Sequence, residues 1–260
     1  MFPVNIYQYL KKNGYFSPKI RVMNITIIGY GKMGKEVEKM AIARGHKVIL
    51  RIDRDNTDDF DSELFGKSDV AVEFTTPDTA FENISRCINK GIPVVSGTTG
   101  WTDRLPLIKD LVKSKEGSFI YASNFSIGVN ILFNLSKRLA GIMNGLPGYD
   151  VKLEEIHHIM KKDAPSGTAI SLAEDIISEC GRFKSWHPDE PSAKDRIGIK
   201  SLRKGQVTGT HRIEWNSDID TIILEHKAHN RQGLALGAVF AAEFIHERQG
   251  VFTMTDLLGF

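Results

Sequence analysis

Hydrophobic positions change their period several times between Met23 and the end of the chain, and the changes predict its elements. Asn24-Ile25-Thr26-Ile27-Ile28 is a short β-branched run that predicts a buried strand. Residues 35–44 then place Val37, Met40 and Ala41 on one helical face, and Gly45 stops that helix. Residues 48–52 and 70–74 predict the second and third strands. A helix over about 79–89 leads to a strand at 93–96, and another helix leads to a strand at 119–122. Strands that alternate with helices predict a parallel sheet covered on both faces.

Beyond Asn124 the pattern differs. Residues 128–140 predict a helix, 151–157 alternate as a half-exposed strand, and a helix follows from Thr168. Residues 197–203, 211–215 and 221–227 predict strands of a mixed or antiparallel sheet with one packed face. An alanine-rich helix over about 234–246 packs closely and returns to the first domain. The predicted organisation is an N-terminal extension over 1–22, a first domain over 23–125 completed by 232–260, and a second, α+β domain over 126–231. The extension lacks the continuous apolar core and small-residue cleavage site of a secretory signal, so it reads as an upstream start or a surface appendage.

Composition narrows the function classes. With 41% hydrophobic and 25% charged residues, the 260-residue chain is that of an ordinary globular protein with a substantial core. A formal charge of +2 is too balanced to imply a nucleic-acid or acidic-membrane partner. No apolar run approaches the roughly 20 residues of a membrane span. The two cysteines, Cys87 and Cys180, form no disulfide framework, which predicts a reducing, cytoplasmic setting.

Between the first strand and the first helix, Gly29-Tyr30-Gly31-Lys32-Met33-Gly34 spells G-x-G-x-x-G. The first glycine permits a tight turn, the second a close approach to a pyrophosphate, and the third close helix-to-strand packing. Asp53 stands about 20 residues on, at the end of the second strand, where an acid takes ribose hydroxyls. Arg54 beside it either pairs with a 2′-phosphate and stacks on adenine or is a solvated surface arginine. These features predict a Rossmann-type doubly wound parallel sheet that binds a dinucleotide. Gly97-Thr98-Thr99 and Ala122-Ser123-Asn124-Phe125 follow two further strands, at the carboxyl ends where open α/β sheets bind ligands. Their small hydroxyl and amide groups suit a carboxamide and a ribose, although ordinary turn chemistry has the same composition.

The densest chemistry lies between Glu155 and Thr168. His157 and His158 are adjacent at a strand end, so their imidazoles point to opposite sides. Lys161 opens the following loop, and Pro165-Ser166-Gly167-Thr168 leads into a helix. The free N–H groups of Gly167 and Thr168 suit a carboxylate or phosphate, favoured by the helix dipole. One core and one surface histidine before an ordinary helix entry would look the same. No His-Glu-x-x-His pair is present and the cysteines are not ligand-spaced, so no metal site is predicted.

Glu155-Ile156-His157-His158, Lys161 and the run from Asp163 to Thr168 together resemble the signature of the dihydrodipicolinate reductase family. The resemblance extends from Met23 to the end of the chain. It includes Gly97-Thr98-Thr99-Gly100, the run from Ala122 to Asn130, and Arg203-x-Gly205-x-Val207-x-Gly209-x-His211. The glycine loop is one residue shorter than in many members, and Thr76 stands where some carry an arginine. The resemblance implies that NADH or NADPH reduces a cyclic dicarboxylate imine, delivering hydride to ring C4 with a proton added at the neighbouring ring carbon. It implies His157 as proton donor, Lys161 in an acid and carboxylate-binding role, and His158, Gly167, Thr168 and Arg231 at the substrate carboxylates. The nicotinamide is expected between Gly97–Thr99 and Ala122–Phe125, and the assembly is expected to be a homotetramer built through the second-domain sheet. A dehydrogenase for another small acid would share the first domain without needing the second motif. A dinucleotide-binding redox sensor would show no turnover, and a metal enzyme would lose activity to chelators.

Overall fold

The computed structural model of the protein describes residues 21–188 and 195–260, so the extension expected over 1–22 lies outside them apart from Arg21 and Val22. Eleven strands are described: β1 (Asn24–Ile28), β2 (Lys47–Ile52), β3 (Val70–Glu73), β4 (Val94–Ser96), β5 (Ser118–Tyr121), β6 (Asp150–His157), β7 (Ser185–Pro188), β8 (Arg196–Arg203), β9 (Gly209–Asn216), β10 (Thr221–Ala228) and β11 (Gly250–Phe252). The helices are α1 (Lys32–Ala43), α2 (Pro77–Asn89), α3 (Leu105–Ser114), α4 (Ile127–Met143), α5 (Gly167–Glu179), α6 (Gln232–Ile245) and α7 (Met254–Leu258). Two compact units result. One holds the described residues up to Ala122 with Ala235–Phe260, the other those of Ser123–Leu234.

The first unit is a six-stranded, Rossmann-like parallel sheet in the order β11-β5-β4-β3-β1-β2. Strand order reverses between β1 and β3, which opens a crevice at their carboxyl ends. Ile25, Ile27, Val70, Ala71, Val72, Val94, Val95, Phe119 and Ile120 are all buried, as continuous apolar strands covered on both faces require. Helix α6 buries residues on every side, from Ala235 to Ile245, which explains its small-residue composition. Its Glu243 accepts from Arg44 Nε at 2.6 Å and Nη2 at 2.8 Å and lies 2.8 Å from His46 Nε2, tying the returning helix to the turn between α1 and β2.

Two of the three motif glycines are demanded by packing. Gly29 has φ +88°, and a Cβ there would lie 2.1 Å from the Phe74 carbonyl oxygen. A Cβ on Gly34 would lie 2.2 Å from the Gly29 carbonyl oxygen. Gly31 differs, because a Cβ there would stand in open space.

The second unit is a five-stranded mixed sheet in the order β10-β9-β6-β8-β7, with β10–β9 and β9–β6 antiparallel and β6–β8 and β8–β7 parallel. Helices α4 and α5 cover its apolar face, where Leu132, Met143, Leu172 and Ile176 pack on Val151, Leu153, Ile199, Ile213 and Trp215. Strand β6 alternates strictly, with Val151, Leu153, Glu155 and His157 on the buried side. Its partner β9 buries Trp215, Ile213 and His211, directly opposite Val151, Leu153 and Glu155. One pleat face therefore begins as a hydrophobic core and ends in two histidines and a carboxylate.

Three elements escaped the periodicity. Strands β7 and β11 have only four and three residues, too few to display a period. Helix α7 has five residues and is held by a capping box between Thr253 and Asp256. Among the described residues no helix is long and apolar enough to cross a membrane.

The glycines set up a paired stability experiment. Gly34→Ala is expected to lower the unfolding free energy by about 1–3 kcal/mol through overpacking, whereas Gly31→Ala stays within about 0.5 kcal/mol of wild type. Urea denaturation of the two variants followed by circular dichroism checks this, and equal losses would contradict the packing assignment.

Candidate active site

In the first unit the crevice between β1 and β3 is a cavity of about 520 Å³. Gly29, Gly31, Asp53, Arg54, Phe74, Thr75, Thr76, Thr79 and Asn83 line it. The glycine turn thus meets the end of β2. Asp53 Oδ2 accepts from the Tyr30 N–H at 3.3 Å and its Oδ1 from the Arg54 N–H at 2.9 Å, so the carboxylate is anchored at the cavity edge. Lys32 and Met33 form the first turn of α1, whose uncapped N–H groups suit an anion. The open side of Gly31 beside that turn fits a pyrophosphate, and Asp53 fits ribose hydroxyls. Tyr30 is otherwise engaged, its hydroxyl bonding Glu38 while the Arg51 guanidinium sits 5.7 Å from its ring.

The next two strands end on a buried carboxylate that sequence reasoning missed. Glu73, at the end of β3, accepts from the Thr75 N–H at 2.9 Å, Ser96 Oγ at 2.6 Å, Thr98 Oγ1 at 2.7 Å and the Thr75 hydroxyl. Thr98 is thereby fixed beside Thr75, whose N–H it accepts at 2.8 Å. Gly97 before it has no room for a Cβ, which would fall 2.0 Å from the Phe74 ring. Thr99 continues this loop, and Ala122 follows β5, where its N–H donates to the Ser96 carbonyl at 3.3 Å.

In the second unit the chemistry gathers around Glu155, which is fully buried. Both its carboxylate oxygens accept from the Ser166 N–H at 3.1 Å, and Oε1 accepts from Arg203 Nη2 at 3.2 Å. His157 Nε2 lies 3.4 Å from Oε2, and His211 Nε2 lies 3.9 Å from it. Burial alone would raise the Glu155 pKa, but the bonds from His157, Ser166 and Ser201 hold it far below the usual carboxylate range. Burial, followed by repulsion from His157, pushes His211 down to about 4. The imidazole of His211 is therefore neutral near pH 7. His157 Nδ1 sits 3.3 Å from the Thr208 carbonyl, and the ring fits over Gly209, where a Cβ would approach to 3.0 Å of its Cε1.

Ser166 joins this cluster to the helix start. Its hydroxyl caps α5 by accepting from the Ala169 N–H at 3.3 Å and contacts His211 Nε2 at 3.3 Å, while its own N–H is held by Glu155. Gly167 and Thr168 are the first residues of α5, where N–H groups have no helical acceptor. Asn124 Nδ2 donates to Thr168 Oγ1 at 3.3 Å, and its Oδ1 accepts from the Ser126 N–H at 2.8 Å. Ser123 precedes this turn and Phe125 is buried within it. The Lys161 ammonium contacts both oxygens of Asp163 at 2.8 Å, an exposed pairing worth at most about 1 kcal/mol and so readily broken. Arg203 shapes the loop, donating to the Lys161 and Asp163 carbonyls. His158 lies just past β6, half-exposed. Arg231 is exposed in the turn after β10, and no described hydrogen bond or ion pair joins its side chain to the cluster.

Glu155, His157 and His211 bring ligand-type atoms within 4.8 Å of one another. The Arg203 guanidinium already answers the carboxylate, and Lys161 adds positive charge against His211. Those cations oppose a metal ion there. What the cluster does hold is the start of α5, through the Ser166 N–H.

Comparisons with known proteins agree across both units. The family described as "Dihydrodipicolinate reductase, N-terminus" matches residues 23–125, and "Dihydrodipicolinate reductase, C-terminus" matches residues 128–258. The chain is 47% identical over 238 residues to the 4-hydroxy-tetrahydrodipicolinate reductase of Christiangramia forsetii, covering 91% of this chain and 98% of that one. It is 33% identical over 232 residues to the protein of that name from Neisseria meningitidis serogroup B, covering 85% of this chain and 84% of that one. Among solved structures it resembles a dipicolinate-bound dihydrodipicolinate reductase from Paenisporosarcina sp. TG-14, with a TM-score of 0.74, 26% identity, and coverage of 90% and 98%.

The buried cluster makes stability depend on pH. Because the folded pKa of His211 is depressed to about 4, the unfolded chain takes up its proton first as pH falls from about 6.5, and stability is lost down to pH 4. That loss is worth about 3 kcal/mol, and the depressed Glu155 adds to it below the ordinary carboxylate range. His211→Gln is expected to flatten the slope between pH 6.5 and 4 in urea denaturation. An unchanged slope would contradict the burial argument.

Proposed function

The chain belongs to the dihydrodipicolinate reductase family, and from that membership we propose how its residues divide the reaction. The protein is an oxidoreductase that reduces the cyclic dicarboxylate imine derived from 4-hydroxy-tetrahydrodipicolinate to tetrahydrodipicolinate, a step of diaminopimelate and lysine synthesis. The nicotinamide cofactor, when bound, supplies hydride for ring C4. We assign its binding to the turn from Gly29 to Gly34, to Asp53 and Arg54, and to the loops Gly97 to Thr99 and Ala122 to Phe125. Both NADH and NADPH are accepted in this assignment, because Asp53 suits free ribose hydroxyls and Arg54 suits a 2′-phosphate.

The observation that best supports the division of roles is that His157 and the start of α5 meet one buried carboxylate, Glu155, whose partner Arg203 also holds the loop that carries Lys161. His157 donates the proton to the ring carbon next to C4, and Lys161 binds a carboxylate and supports that transfer. His158, the N–H groups of Gly167 and Thr168, and Arg231 take the remaining carboxylate oxygens. Glu155 keeps its negative charge throughout and acts by position. We further assign the protein to the cytoplasm, in keeping with two buried free thiols. A homotetramer through the second-unit sheet is supported by edge strand β10, which exposes Ile222 and Ile223.

An assay that forms the imine in place with the upstream synthase and follows NAD(P)H oxidation tests this function. In it, His157→Gln is expected to lower kcat by about 10²- to 10⁴-fold with little change in substrate KM. Lys161→Ala raises KM and lowers kcat together. Near-normal kcat for His157→Gln would remove it as proton donor, and unaffected kinetics for Lys161→Ala would sink the dicarboxylate assignment. Separately, Arg54→Ala is expected to weaken NADPH binding much more than NADH binding in fluorescence titrations. Equal losses would mean that Arg54 does not meet the phosphate.

A further inference from the structure

Glu73 is fully buried at the end of β3, and the division of roles above leaves it unused. It is ringed by hydroxyls. A carboxylate only accepts hydrogen bonds, so Ser96, Thr98 and Thr75 must all turn their hydroxyl protons toward it. Thr75 Oγ1 is left with lone pairs, and these accept from Thr79 Oγ1 at 3.0 Å and Asn83 Nδ2 at 3.3 Å. Thr79 Oγ1 is nearer Thr75 Oγ1 than the Thr76 carbonyl, which is 3.3 Å away, so its single proton is assigned to Thr75. In the pair between Thr79 and Thr76, 3.1 Å apart, the Thr76 hydroxyl is then the donor. A directed chain runs from Thr76 through Thr79 and Thr75 to Glu73.

Thr75, Thr76, Thr79 and Asn83 share a cavity with Asp53. With the hydroxyl protons drawn inward, that wall shows the cavity the lone pairs of its threonine hydroxyls. We propose that Glu73 is a positioning residue that directs this chain, and that the wall thereby favours a ligand presenting hydroxyl donors, the unphosphorylated dinucleotide, over its 2′-phosphorylated form. A phosphate brings only further acceptors to such a wall, and the carboxylate of Asp53 adds like charge, whereas ribose hydroxyls or an amino group donate to it. Arg54 acts in the opposite sense, so the two features together set the ratio of affinities. The inference rests on dinucleotide binding in this cavity.

Titration of NADH, NADPH and pyridine-2,6-dicarboxylate into wild type and Glu73→Gln, read by protein and nicotinamide fluorescence, tests it. The glutamine amide places a donor where the carboxylate accepted, so at least one hydroxyl must reverse. The Kd for NADH is expected to rise about tenfold, that for NADPH distinctly less, and that for pyridine-2,6-dicarboxylate not at all. Unchanged nucleotide affinities, or equal losses for both nucleotides as a merely structural role would give, overturn the proposal. Should Glu73→Gln not fold, Thr79→Val breaks the chain at an exposed position, and the ratio of NADPH to NADH Kd must again fall; a ratio equal to wild type overturns the proposal. Wild-type protein that binds neither nucleotide refutes the reductase assignment itself and the inference with it, whereas binding with an unaltered ratio refutes the inference alone.

Discussion

A carboxylate sealed from water must be answered by donors, and the second unit is organised around one such group. Glu155 sits where the apolar face of β6 runs out, and its oxygens draw in the Ser166 N–H, the Arg203 guanidinium and two imidazoles. Each contact fixes something else. Holding Ser166 sets where α5 begins, which decides where the N–H groups of Gly167 and Thr168 emerge. Holding Arg203 shapes the loop that carries Lys161, and the space left by Gly209 seats the His157 ring. Removing any one of these partners from a buried charge would cost several kcal/mol, so the contacts hold one another in place.

The first unit uses the same device. Glu73 ends β3 as Glu155 nears the end of β6, and it fastens the Thr75 and Thr98 loops at the carboxyl edge of the sheet. Loops at such edges are free to vary, and a buried acceptor with several donors confines them to one geometry. In both units the charged group in the interior is a positioning group, while the groups assigned to ligand contact lie at its periphery.

Much of this was legible in the sequence. The G-x-G-x-x-G turn has a mechanical reason at each glycine, and two of those reasons are packing contacts visible as carbonyl oxygens where a Cβ would stand. Alternation identified β6, and the run Pro165-Ser166-Gly167-Thr168 marked a helix entry, because periodicity and capping are local; the structure places the cap at Ser166 and the helix start at Gly167, one residue before Thr168. Glu155 and Glu73 were not legible as hubs. Glu154 and Glu155 are chemically alike, and only the register with β9 places one outward and the other inward. The role of Arg203 likewise depends on β6 and β8 being neighbours, 48 residues apart in sequence. Strands β7 and β11 are too short to carry a period, and sheet pairing alone defines them.

In the proposed reaction hydride reaches ring C4 of a dicarboxylate imine while a protein-held proton reaches the carbon beside it. Isotope placement in the product tests this directly. With NADH dideuterated at its transferable position, the product is predicted to carry one deuterium at ring C4 and none at the adjacent carbon. With unlabelled NADH in deuterium oxide, the adjacent carbon is predicted to take up the label. Nuclear magnetic resonance of the product distinguishes the two positions. Cofactor-derived deuterium at any other carbon, or a product without it, would contradict the account.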